Sequence, residues 1–286
     1  MAERSFIRSI RQLTLLTVAL AIAGSSYLTR MRTTSWEQPL WVTIYPIVAD
    51  DRQVTHDYVE KLSSEHFKSI ERFMEDETAR YGVDIGRPVR IDVGKPVAEL
   101  PPAPPRDNNP LKIIWWSLQL RLWAGSATDG QPGATPDIRL FVIYHDPTIS
   151  TKIPHSLGLQ KGMIGVVHAF AARRMKGSNQ FVIAHEMLHT LGASDKYMPG
   201  SNLPIFPIGY AEPYAAPRHP QQFAEIMGGR IPISAAESIM PTSLQDARIG
   251  AETALELRWL DELPPRQTTT AKRNDTPADQ KTARLN

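Results

Sequence analysis

The chain of 286 residues carries 32 basic and 30 acidic side chains and is 42% hydrophobic, an ordinary globular composition with room for one large domain or two small ones. A net charge of only +2, with no basic run interleaved with aromatics, gives nucleic-acid binding no footing. The absence of cysteine excludes disulfides, thiolate catalysis and Cys-rich zinc sites, so a metal ion would have to be held by His, Asp or Glu.

Arg4, Arg8 and Arg11 precede the apolar run LTLLTVALAIAG, Leu13 to Gly24. A basic flank followed by a short apolar run has the form of an export signal. The run reaches Leu28 at most, short of the roughly 20 residues that span a bilayer. Ala21-Ile22-Ala23 has the small-x-small form of a cleavage site. Residues 1–32 are therefore expected to be a signal peptide or, uncleaved, a signal anchor. The rest would be exported, periplasmic or extracellular, or anchored to the cytoplasmic membrane by its N-terminus.

Leu40 to Val48 is rich in β-branched and aromatic residues and reads as a strand. Thr55 to Tyr81 places Val59, Leu62, Ile70, Phe73 and Met74 at helical spacing, and Gly82 suits its end. Pro88 to Gly94 reads as a second strand. The stretch LPPAPPRDNNP is a stiff, exposed connector. Leu111 to Ala124 reads as a buried helix, although its aromatics leave a strand open. After a Gly/Pro-rich loop, Ile138 to Asp146 and Gly162 to Ala171 read as the third and fourth strands, and a helix runs from about Ser178 to Leu191. Prolines then punctuate a long irregular region before a last helix, Asp246 to Leu260. From residue 264 the chain is polar and weakly patterned, the composition of a disordered tail. The order of elements implies an α/β (α+β) layer with a mixed sheet.

The helix near the middle carries VIAHEMLHTLGASDKY, Val182 to Tyr197. Residues four apart on a helix share a face, so His185 and His189 can present both imidazoles to one ion. Glu186 lies about 100° around the helix, beside the ion, where it can accept and return a proton. Zinc suits imidazole and carboxylate and needs no redox chemistry, and a catalytic zinc takes three protein ligands. Gly192, three residues after His189, can stop the helix in a left-handed turn and bring Asp195 to the same ion. A solvated helix with a Gly cap and a local turn at Asp195 would account for the same letters.

The pattern His185-Glu186-x-x-His189-x-x-Gly192-x-x-Asp195 resembles that of the zincin metallopeptidases and, within them, the metzincins, most of which end the motif on His; snapalysin-type enzymes have Asp there. The resemblance is specific over Val182 to Asp195 and looser over the preceding strand–helix order. It implies a zincin-like catalytic domain over residues 36–262, with an upper subdomain 36–192 and a smaller irregular lower subdomain 193–262 ending in a helix. It implies a zinc ion on His185, His189 and Asp195, Glu186 as general base, and a peptide or protein substrate. It also implies a methionine turn beneath the ion, for which Met227 and Met240 both qualify; Met240 is preferred because a helix is expected directly after it. Gluzincin-type enzymes take their third ligand from a later Glu, which leaves Glu212, Glu225 and Glu237, Glu225 first among them, as alternatives to Asp195. In zincins an edge strand holds the substrate backbone; here Gly162 to Ala171 is expected in that role. His168 on it could face the cleft or be a satisfied sheet histidine, whereas His145 and His155 are expected in loops. Tyr197, Tyr210 and Tyr214 are candidate oxyanion donors. The function expected is a zinc-dependent peptidase. A non-catalytic zincin-fold module of the cell envelope is the alternative, and Glu186 argues against it, since metal binding does not require that carboxylate. A hydrolase of a non-peptide substrate remains a third class.

Overall fold

The computed structural model describes residues 32–264 apart from 106, 108, 151, 152 and 161, together with residues 17 and 24. The expected export segment, apart from residues 17, 24 and 32, and the expected tail, apart from residue 264, lie outside the described residues.

Five runs form one sheet: β1 (Leu40–Val48), β2 (Val89–Val93), β3 (Ile138–His145), β4 (Leu157–Leu159) and β5 (Ile164–Phe170), in the order β2-β1-β3-β5-β4. All pairings are parallel except the last, β4 against β5, so the sheet is mixed as expected. Near-continuous apolar runs such as Phe141-Val142-Ile143-Tyr144 mark β3 as a strand covered on both faces. β4, three residues long, carries too little periodicity to be expected from sequence. Its presence changes one expectation: β5 is paired on both sides, and β4 is the edge strand.

The long helix expected over Thr55–Tyr81 is two. The first, α1 (Gln53–Glu60), is separated from α2 (Lys68–Arg80) by a 3-10 turn, Ser64–Phe67. Ser63 causes the break: its side chain and backbone N–H engage His66 in a reciprocal cap, which competes with helix continuation. Helix α3 (Pro110–Ala127) starts where Asn109 Oδ1 accepts from Leu111 N at 3.0 Å and Pro110 fills the first turn. It is only half buried. Trp116, Leu120 and Ala124 pack on the sheet, but Leu111, Ile114, Trp115, Leu118 and Leu122 are exposed. Helix α4 (Lys176–Leu191) carries the two-histidine motif.

The sheet has two apolar faces. Leu40, Val42, Ile44, Leu140, Val142 and Tyr144 join residues of α1, α2 and α4 in one core. Tyr45, Ile47, Phe141 and Ile143 join Trp116, Leu120 and Ala124 of α3 in the other.

Beyond α4 the short strands β6 (Ala224–Glu225), β7 (Ile231–Pro232), β8 (Ser238–Ile239) and β9 (Ala247–Arg248) precede α5 (Ala251–Glu256). The last helix is much shorter than the expected Asp246–Leu260. Ala247 and Arg248 are drawn into pairing with Ala224 and Glu225, and Gly250 N donates to Glu225 Oε1, so helix begins only at Ala251. Arg258, in the left-handed region at φ 60°, follows its end. No described helix is long and apolar enough to cross a membrane.

Candidate metal centre

Helix α4 brings His185 and His189 together as the four-residue spacing requires, with their Nε2 atoms 3.1 Å apart. Gly192 ends the helix at φ 109°, and its N–H bonds back to His189 O at 3.1 Å. A side chain at this φ would be strained, and a Cβ would meet Gln160 Nε2 at 2.5 Å. The chain then doubles back so that Asp195 Oδ1 lies 3.1 Å from each histidine Nε2. The triangle of two nitrogens and one oxygen is close to the edge of about 3.3 Å that a tetrahedral ion with ligands at about 2.0–2.1 Å sets between its donors. Among the described residues, this is the group of three His, Asp or Glu placed to hold a metal ion.

Both rings are fixed from behind. His185 Nδ1 lies 2.9 Å from the carbonyl of Ile226, and His189 Nδ1 lies 2.8 Å from that of Ala193. A carbonyl can only accept, so each Nδ1 carries a proton and each Nε2 faces the centre, where it donates to Asp195 when protonated and offers its lone pair to an ion when not. Asp195 is held by its neighbours. Ser194 N donates to Glu256 Oε2 at 3.0 Å and Lys196 Nζ to the same oxygen at 2.6 Å, so α5 grips the loop on either side of the aspartate. Lys196 is 1% exposed, a buried ammonium compensated by that carboxylate and by Ser194 O.

Electrostatics agree with the geometry. Burial opposes protonation of His185, but the hydrogen bond with Asp195 and the nearby Glu186 outweigh it and raise its pKa. Burial would raise Asp195, yet the hydrogen bonds from both imidazoles hold its pKa far below the usual carboxylate range. Surroundings that favour an imidazolium at this point also favour a cation in its place.

Glu186 points into a cleft of about 240 Å³ rather than at the triangle. It is 6% exposed, and its Oε2 has no hydrogen-bond partner among the described residues. Burial raises its pKa against the pull of the two imidazoles. The cleft is also lined by His155, His168, Phe181, Val182, Tyr197 and Met240. Tyr197 is pushed up to about 12 by burial, by the charge of Asp195 and by its hydrogen bond to Asp195, so its phenol stays protonated. Of the other two tyrosines, Tyr210 lies 3.1 Å from His219 Nε2, and Tyr214 is exposed beside another hollow.

Two alternatives read from the sequence give way. Glu225 is fully buried and accepts from Gly228 N at 2.7 Å, Gly250 N at 3.0 Å and Thr253 Oγ1 at 2.7 Å. It organises the C-terminal region and does not complete the triangle. The preference for Met240 is also corrected: Met240 is 40% exposed and lines the cleft. Met227 is fully buried in the 3-10 turn Ile226–Gly228, whose backbone accepts from His185 at Ile226 and from Lys196 N at Met227, 2.8 Å. The expected helix after Met240 misdirected the choice, because that helix is short and begins later.

The edge strand completes the site. A Cβ on Gly158 of β4 would lie 2.3 Å from Glu186 O and 2.6 Å from His189 Cβ, so only glycine lets β4 lie this close to α4. His168 lines the cleft, its ring Nδ1 is 2.9 Å from His145 Nε2, and its backbone N–H donates to Ser156 Oγ at 3.0 Å. His145 closes β3 rather than lying in a loop, and His155 reaches the cleft wall. Sequence reasoning missed Gly158, Glu256 and the Ile226 carbonyl. Their contacts with the site span long separations in sequence and leave no local spacing to read. No protein-family model matches the chain, and no curated protein is similar to it in sequence.

Proposed function

We propose that this protein is a zinc-dependent peptidase of zincin, metzincin-like type, with His185, His189 and Asp195 holding the ion and Glu186 as general base. The observation that carries this reading is the buried Glu186 Oε2, without a partner among the described residues, facing a cleft beside a two-His, one-Asp triangle. A module that only binds metal has no need of that carboxylate, and leaving it buried without a partner is unfavourable. When bound, a zinc ion supplies Lewis acidity that polarises the scissile carbonyl and makes water acidic enough to attack near neutral pH.

The chain's own residues supply the rest. Glu186 accepts the proton shed by the attacking water and returns it to the departing amine nitrogen as the C–N bond breaks. Its raised pKa brings it nearer the operating range of such a base. The protonated Tyr197 phenol lines the cleft, and turning its O–H from Asp195 toward the substrate would let it donate to charge that develops on the carbonyl oxygen. The edge strand β4, with one side unpaired, suits an extended peptide added by β-augmentation, in place of the β5 edge expected from sequence.

The test is metal analysis joined to cleavage of a diverse peptide library. Expected are about one zinc per chain, loss of it in His185→Ala/His189→Ala, and in Glu186→Gln a folded protein that keeps zinc but cleaves at least about a hundredfold more slowly. Full zinc in the double variant overturns the site, and parental cleavage by Glu186→Gln overturns the mechanism.

A further inference from the structure

Helix α3 has two apolar faces, and the fold uses one. Trp116, Leu120 and Ala124 recur every four residues and are buried on the sheet. Half a turn away, Leu111, Ile114, Trp115, Leu118 and Leu122 follow helical spacing along one stripe, Leu111 77% and Leu122 68% exposed. Lys112 and Gln119 flank this stripe on one side and Ser117 and Arg121 on the other. Scattered exposed apolar residues are ordinary, but a continuous stripe marks a contact surface.

We propose that this face of α3 lies in the interfacial zone of a lipid bilayer, with the helix axis parallel to the membrane plane. An uninterrupted stripe of Leu, Ile and Trp with basic and amide flanks is the composition of helices that lie in that zone. No charge interrupts the stripe to set register with a protein partner. Crossing is excluded by the sheet on the opposite face, and no described helix is long and apolar enough for it.

The N-terminal apolar run would tether the domain to the same membrane if it remains as an anchor. Gly24, the end of the apolar export-type run, precedes Arg32 by eight residues, which extend to at most about 28 Å. Arg32 Nη2 is held 3.2 Å from Asp137 Oδ1, immediately before β3, the strand that follows α3 in the chain. If that run remains as an anchor, the domain cannot leave the surface, and even weak insertion of α3 is then effective. A second membrane contact is what turns marginal binding by one apolar segment into stable attachment. Leu157 and Leu159 of β4 pack into the core that α3 covers, while Gly158 abuts α4. The edge of the candidate site is therefore joined to the docked face, which suits substrates presented close to a bilayer.

The chain has no cysteine, so one introduced thiol carries a unique nitroxide label. The full-length protein is reconstituted in phosphatidylcholine vesicles containing one quarter phosphatidylglycerol, with labels at Leu118→Cys, at Leu122→Cys and, as a control, at the exposed Glu60→Cys of α1. Labels at 118 and 122 are expected to be more accessible to oxygen than to a water-soluble nickel chelate, and the label at 60 the reverse. Quenching of tryptophan fluorescence by brominated lipid, reduced in Trp115→Phe, reads the same face without a label. Aqueous accessibility at 118 and 122 together with unchanged quenching overturns the proposal. Spin–spin broadening between copies at those positions also overturns it and assigns the face to self-association.

Discussion

Glu186 and Glu225 are both buried carboxylates whose pKa burial raises, yet their surroundings give them opposite work. Glu225 accepts from two backbone amides and a hydroxyl and is part of the structure. Glu186 has an oxygen without a partner among the described residues and faces the cleft. Substitutions separate these roles from that of Asp195. Asp195→Ala removes one corner of the triangle at a half-exposed position, so the fold should survive and zinc affinity fall by at least about tenfold. Glu225→Ala strands two buried donors and one part-buried donor and should cost about 2–4 kcal/mol of stability, while the folded fraction binds zinc as the parent does. Competition with a chromophoric chelator and urea unfolding measure the two effects. The reverse ranking for zinc would assign the third ligand to Glu225.

Among the elements, α4 was legible from sequence because its information is local: a four-residue histidine spacing, a glycine stop and an aspartate three residues on. The strands of the parallel sheet were legible from runs of β-branched and aromatic residues. What escaped depends on distant partners. β4 is defined by pairing with β5, and the interruption between α1 and α2 depends on how Ser63 and His66 cap a new turn. The apolar letters of α3 could not reveal which face the sheet would cover, so a buried helix was expected where a half-exposed one stands. The contact between β4 and α4 can be tested. In Gly158→Ala the new methyl would meet the Glu186 carbonyl at 2.3 Å, and neither backbone can yield without moving its element. A loss of about 1–3 kcal/mol is expected, with weaker peptide binding and retained zinc. A Gly158→Ala protein of parental stability would mean that β4 separates freely from α4.

The whole molecule is joined across its layers by polar seams, and these give its stability a pH dependence. Between the segment before β1, α2 and the C-terminal region, Trp36 Nε1 donates to Leu257 O at 2.7 Å, and Ile249 N donates to the buried Glu77 at 2.7 Å. Between β3 and β5 the seam is the His145–His168 pair, in which only one of the facing nitrogens carries a proton. Burial, and then the neighbouring His145, lowers His168 to about 4, and burial also lowers His145 despite Asp50. An unfolded histidine titrates near 6.5. Above that pH both states are neutral and the seam contributes fully. As pH falls below 6.5 the unfolded chain takes up protons that the folded pair refuses until about 4, so stability is lost across that window. Glu186 and Glu225 act in the opposite sense, because their raised pKa values favour the folded state as pH falls. The histidine contribution is therefore isolated by comparison with His168→Gln, in which both glutamates are unchanged. Between pH 7 and pH 4 the melting temperature of the parent should fall more steeply than that of the variant, and the two curves should converge toward the acid end. Parallel curves over the whole range would mean that His168 takes up its proton in the folded protein as readily as in the unfolded chain, and that the β3–β5 seam does not discriminate against its charge.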